Sequence, residues 1–222
     1  MHNNSNTFEK NFIANLGPSS FNGMGLDPWQ IRDIEYFIKE RKIKNILEFG
    51  SGSSTSYLVK IAKENNLNIT SFDNCLEYAY QPTEADKEHL KLNIVKTVQY
   101  TDEQLEQIKN GKLSELNRGN ILEEKDTKNN FRIKNCFYQI DNSMIDKKYD
   151  MIILDGPNGN GRFIAFYHIA NKIKKGTIIF IDDFWHYPFV EQCTNALNCE
   201  LKYTVKKPEF HHLHGYAVLE CV

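Results

Sequence analysis

A chain of 222 residues is long enough for one substantial domain, and 41% hydrophobic with 25% charged residues is the composition of a globular protein. A net charge of -2 and a pI near 6.4 exert no global pull on nucleic acid or an anionic membrane, so neither is expected as a partner. No apolar run reaches transmembrane length, and Met1 to Asn6 lack the charge and apolar core of a signal peptide, so a cytoplasmic location is expected. The five cysteines, Cys75, Cys136, Cys193, Cys199 and Cys221, are scattered and form no C-x-x-C pair. That spacing argues against a disulfide framework or a zinc site and for reduced thiols.

In chain order, residues 1 to about 20 are rich in Asn and Ser and read as a loose arm. Asp27-Pro28 supplies an N-cap with proline at the first helical position, and Ile31, Ile34, Phe37 and Ile38 stripe a helix running to about Arg41. Met24, just before it, reads as a hydrophobic plug at the helix entry. Residues 46–49 form a buried strand that runs into Gly50-Ser51-Gly52, after which Tyr57, Leu58, Ile61 and Ala62 mark a second helix. A short strand over 68–72 stops at Asp73.

Residues 83–92 then read as a helix and 92–100 as a third strand. Thr101-x-x-Gln104 is a capping box for a helix to about Leu116. The polar, poorly periodic stretch beyond it makes an insertion of about 101–135, and 136–140 adds a small strand. The almost unbroken apolar run 149–154 predicts a central parallel strand ending on Asp155. After Asn158-Gly159-Asn160-Gly161, a helical stripe from Phe163 to Ile173 closes at Lys174-Lys175-Gly176. A fifth strand over 177–181 ends at Asp182-Asp183, a helix follows over 188–197, and strands at 200–206 and 215–221 flank a loop with His211, His212 and His214. The alternation predicts an α/β fold: a doubly wound, mostly parallel seven-stranded sheet with an antiparallel C-terminal hairpin, in a single domain spanning 1–222.

Two glycines two residues apart let the backbone turn tightly and approach a ligand, and the serines that follow can expose donors at a helix start. The third glycine of a dinucleotide fingerprint would fall on Thr55, which disfavours a pyrophosphate and with it a nicotinamide-dependent oxidoreductase. Asp73, about 20 residues past the turn and at the tip of the second strand, stands where a carboxylate accepts ribose hydroxyls.

Glu48-x-Gly50-x-Gly52 resembles the first motif of class I S-adenosylmethionine (SAM) dependent methyltransferases, with Ser54 where that motif often has glycine. The resemblance implies a Rossmann-like methyltransferase fold. It also implies that Glu48, Gly50, Ser51, Gly52, Ser54, Thr55, Asp73 and Asp155 bind SAM, with Gln99, Tyr100, Asp102 and Asp141 as candidates for the adenine pocket.

Asp155, Asp182 and Asp183 all close strands on one rim. Hard oxygen ligands grouped there suit Mg²⁺ or another divalent cation, which would gather a substrate hydroxyl and lower its pKa. Their layout resembles that of catechol-type metal-dependent O-methyltransferases, in which an Asp and an Asp-Asn pair hold the metal. Here Asp183 takes the Asn place, and Asn158 and Asn160 occupy the loop that usually carries a catalytic Lys. His186 is close enough to serve with Asp155 in catalysis, as a general base or ligand. Phe184, Trp185 and Tyr187 offer an aromatic wall.

The Leu154-Asp155-Gly156-Pro157 segment resembles sugar and polysaccharide methyltransferases, including the glucuronoxylan type, which points the acceptor toward carbohydrate hydroxyls. Two bland alternatives stand beside this reading. Asp155 could bind a backbone turn while Asp182 and Asp183 cap a helix, and the fold could serve a non-catalytic interaction protein. The expected activity is methyl transfer to a hydroxyl of a small-molecule or carbohydrate acceptor, with a homodimer as a candidate assembly.

Overall fold

The computed structural model describes residues 25–110, 119–127, 133–141, 143–184, 189–206 and 215–222. The N-terminal arm, Met24, Trp185, His186, Tyr187 and the three histidines of the last loop lie outside the described residues.

Helix α1 (Pro28–Arg41) buries Gln30, Ile31, Ile34, Phe37 and Ile38 and ends at Lys42 in the left-handed conformation. Strand β1 (Asn45–Phe49), helix α2 (Ser53–Asn65) and strand β2 (Asn68–Asp73) follow as the hydrophobic pattern requires. β3 (Leu90–Ile94) then pairs parallel with β2.

The expected helix over 83–92 does not form. Asp86 instead accepts from Lys63 Nζ at 2.6 Å, Tyr80 Oη at 2.9 Å and Thr83 N at 2.7 Å, which folds the segment into a single 3-10 turn, Glu84–Asp86. The expected third strand is two strands in two sheets. Val95 N still donates to Asp73 O, but Lys96 O accepts from Gln139 N, so the chain leaves the main sheet there. β4 (Thr97–Gln99) then joins β5 (Asn120–Leu122) and β6 (Cys136–Tyr138) in a small antiparallel sheet, order β5-β4-β6.

Within the insertion, α3 (Asp102–Lys109) carries the expected capping box: Gln104 N donates to Thr101 Oγ1 at 3.1 Å and Thr101 N to Gln104 Oε1 at 2.8 Å. α4 (Glu124–Thr127) lies against the tip of β2, where Cys75 Sγ donates to Glu124 and Asn74 Nδ2 to Thr127.

β7 (Met151–Leu154), α5 (Ile164–Ile169), β8 (Ile178–Ile181), α6 (Val190–Leu197), β9 (Cys199–Lys206) and β10 (Gly215–Cys221) complete the chain. The main sheet has the order β3-β2-β1-β7-β8-β10-β9 and is parallel through β8, with β10 antiparallel to both β8 and β9. The fold is therefore the expected seven-stranded α/β sheet with a C-terminal hairpin. Two hydrophobic layers cover its faces, one built around Phe49, Phe137, Ile152 and Phe166 and the other around Ile34, Leu58, Ile153 and Phe180. Tyr203 and Tyr216 of the hairpin both donate to Asp33 of α1.

The expectation that every cysteine is a reduced thiol is corrected. The hairpin register sets Cys199 opposite Cys221, and the two form a disulfide, while Cys75, Cys136 and Cys193 are free and buried. Among the described residues no helix is long and apolar enough to cross a membrane.

Candidate functional site

Strand order reverses between β1 and β7: the chain builds outward from β1 to β3 on one side and resumes with β7 on the other. A crevice beyond the carboxyl ends of neighbouring strands is expected at such a point. The turn after β1 and the loop after β7 flank it. Gly50, at φ +101°, is tied in by Gly50 N to Phe72 O, and a Cβ there would lie 2.7 Å from Gly156 N. Glycine is thus required by conformation and by the close approach of the second loop.

Gly52 is different. Its φ of -169° suits any residue, and nothing lies within 4 Å of where its Cβ would stand. The glycine leaves open space beside the first turn of α2. In the same turn of α2, Ser54 is 1% exposed and its hydroxyl has no hydrogen-bond partner among the described residues. Backbone N–H groups at a helix start, an unspent hydroxyl and an unfilled space together suit a polar ligand.

Beneath this turn Glu48 is wholly buried. The Thr55 hydroxyl donates to it at 3.0 Å and accepts from Gly52 N at 2.9 Å, and Ser71 donates from β2. Thr55 therefore occupies the third-glycine place because its hydroxyl links the turn to the carboxylate. Burial pushes the Glu48 carboxyl up to about 7 against the lowering effect of the Ser71 and Thr55 hydrogen bonds. Asp73 clamps the same turn from β2, accepting from Ser51 N at 2.9 Å and Cys75 N at 2.8 Å. Burial raises it to about 6, opposed by those N–H donors. The structure thus brings Glu48, Gly50, Ser51, Gly52, Thr55 and Asp73 into one hydrogen-bonded unit. Of the adenine candidates, Tyr100 is buried in the core under the small sheet, and Asp102 accepts from Asn135 Nδ2 at 2.6 Å.

On the other side of the switch point, the Asp155 and Asp182 carboxyls, after β7 and β8, act on each other electrostatically. Burial raises Asp155 to about 6, and burial together with the neighbouring Asp155 raises Asp182 well above the usual carboxylate range. Gln30 Nε2 donates to Asp182 Oδ1 at 2.6 Å. Asp183, at φ +51°, lies 3.5 Å from Arg162 Nη1. The Arg162 side chain is 2% exposed and its Nε donates to Pro157 O at 2.6 Å.

Among the described residues no group of three or more His, Cys, Asp and Glu side chains is placed to hold a metal ion. The donor set explains why. Asp182 Oδ1 is engaged by Gln30, and the adjoining Asp183 faces a guanidinium. As arranged, these residues do not fit the expected divalent cation.

Sequence reasoning missed Gln30 and Arg162. Gln30 lies on the apolar face of a helix, where a polar residue that is 2% exposed signals a partner. Arg162 follows a polar glycine loop that reads as solvent-exposed.

A family model described as a methyltransferase domain matches residues 47–184, more than half of the chain. The chain belongs to the methyltransferase-domain family. The matched span runs from β1 to just beyond β8 and includes Glu48, Asp73, Asp155, Arg162, Asp182 and Asp183.

Solved structures with this fold include an O-methyltransferase from Bacillus cereus in complex with S-adenosylhomocysteine (SAH), at 11% identity and TM-score 0.52, covering 97% of this chain and 91% of that one. The SAH-bound methyltransferase PaMTH1 from Podospora anserina matches at 14% identity and TM-score 0.50, covering 98% and 93%. The O-methyltransferase TomG from Streptomyces achromogenes, of tomaymycin synthesis and in complex with SAM, matches at 9% identity and TM-score 0.51, covering 90% and 83%. At these identities the likeness establishes the methyltransferase fold. No curated protein matches the sequence.

Proposed function

We propose that this methyltransferase-domain protein moves a methyl group from SAM to a hydroxyl oxygen of a small-molecule acceptor. The observation that carries the reading is the open space at Gly52, at the start of a helix at the switch point of the sheet. Structural neighbours with SAM or SAH bound support it. When bound, SAM supplies a methyl group on a positively charged sulfur, which needs an oxygen nucleophile in line and an acceptor for its proton.

The chain's own residues divide that work. Gly50 and Gly52 let the backbone approach the ligand, Ser51 and Ser54 face it with polar groups, and Asp73 accepts from its ribose. Glu48 and Thr55 hold the turn from below. Asp155, raised to about 6, is ionised near neutral pH and takes the acceptor's proton. The Leu154-Asp155-Gly156-Pro157 segment favours a carbohydrate hydroxyl as the acceptor.

Calorimetry tests the cofactor reading. SAH binds one site and NAD does not, and Gly52→Ala weakens SAH by about tenfold or more while leaving stability within about 0.5 kcal/mol, because no protein atom meets the new methyl. Binding of NAD without SAH overturns the proposal. SAH release from SAM in the presence of a sugar panel and a phenol panel then decides the acceptor class.

A further inference from the structure

A buried guanidinium stands against the carboxylates beyond β7 and β8. Arg162 is anchored on both sides. Its Nε donates to Pro157 O at 2.6 Å in the loop after β7, and its Nη1 lies 3.5 Å from both Asp182 O and Asp183 Oδ2 after β8. It also interacts electrostatically with Asp155 and Asp182. A guanidinium with 2% of its side chain exposed has given up nearly all its hydration, and burial of that kind is sustained by opposite charge and by acceptors for its N–H groups. Pro157 O and Asp183 supply both. The Gln30 hydrogen bond meanwhile occupies an oxygen of Asp182 that a divalent ion would need.

We propose that Arg162 is the resident cation of this rim: its guanidinium stands against the Asp155, Asp182 and Asp183 cluster in place of a divalent metal. The inference rests on the methyl-transfer reading only for what the rim is used for, since the charge balance is a property of the apo chain. Arg162 acts as a positioning residue. It holds the loop after β7 against the loop after β8 and so fixes Asp155 relative to Asp182.

The test uses full-length protein stripped with EDTA and Mn²⁺ alone as the probe, with free Mn²⁺ read by electron paramagnetic resonance. Wild type and Arg162→Lys show no saturable site. Arg162→Met leaves the three acids without their cation and gains one Mn²⁺ equivalent, about tenfold tighter than any binding by wild type, and adding Asp155→Asn removes the gain. A saturable Mn²⁺ site in wild type that is lost in Asp155→Asn overturns the proposal, as does a folded Arg162→Met that binds no better than wild type. Should Arg162→Met not fold, wild type and Arg162→Lys decide: no saturable site in either supports the proposal, and one in either overturns it. SAH calorimetry on the same samples, with EDTA or with Mg²⁺, reads the cofactor proposal separately. No SAH binding in either buffer sinks the cofactor reading while the Mn²⁺ result stands.

Discussion

The two sides of the crevice carry the same kind of residue at the same kind of place, and they satisfy it in opposite ways. Glu48 and Asp73, on and at the end of β1 and β2, accept from hydroxyls and backbone N–H groups that are themselves neutral. Asp155, Asp182 and Asp183, after β7 and β8, are held by one another, by an amide from a distant helix and by a buried cation. The first arrangement makes a rigid socket held by neutral donors. The second makes an acid cluster whose protonation depends on partners that single substitutions can remove. A carboxylate at a strand end is therefore informative only together with what donates to it.

The largest break in the comparison is expected on the socket side, at Gly50. Alanine there must adopt φ +101° with its methyl 2.7 Å from Gly156 N, which destabilises the fold by about 3 kcal/mol, read as a lower urea midpoint. On the acid side, Gln30→Ala strips the amide from a buried Asp182 oxygen and costs about 2 kcal/mol in the same assay. A Gln30→Ala protein as stable as wild type sinks the claim that α1 supports the rim.

A smaller effect separates the two sides by pH. Glu48 titrates at about 7 in the folded protein against an ordinary value of 4.5, so the folded state binds more protons across that interval and stability falls as pH rises from 4.5 to 7. Glu48→Gln removes that part of the slope in urea melts taken at several pH values. An unchanged slope contradicts the burial of an ionisable Glu48.

His168 supplies the opposing limb. It is buried with neither ring nitrogen hydrogen-bonded among the described residues, and burial lowers it to about 4. The unfolded chain then binds the extra proton, and stability falls as pH drops from 6.5 toward 4. His168→Phe keeps a ring against Phe137 and flattens only that limb.

The sequence shows β1, β2, β7 and β8 clearly because each is a short run closed by a glycine or an acid. It hides whatever depends on a distant partner. Residues 83–94 read as helix running into strand, since nothing local announces that Lys63, Tyr80 and Thr83 all converge on Asp86. Cys199 and Cys221 look unrelated until the hairpin register sets them opposite each other. The acids of the site were legible as strand-end carboxylates. Their state was not, because Gln30 is 152 positions from Asp182, and Arg162 sits in a loop whose composition suggests solvent.

Helix α1 deserves a final consequence. It lies wholly before residue 47, where the family match begins, yet one of its faces sends Gln30 to Asp182 and Asp33 to both hairpin tyrosines, Tyr203 and Tyr216. The family core from 47 to 184 thus borrows a ligand for its own acid pair from an upstream element that is anchored by a downstream one. A transplant of that core alone would carry the socket intact and leave the rim without its brace, so acceptor chemistry could diverge through the flanks while the cofactor seat stays the same.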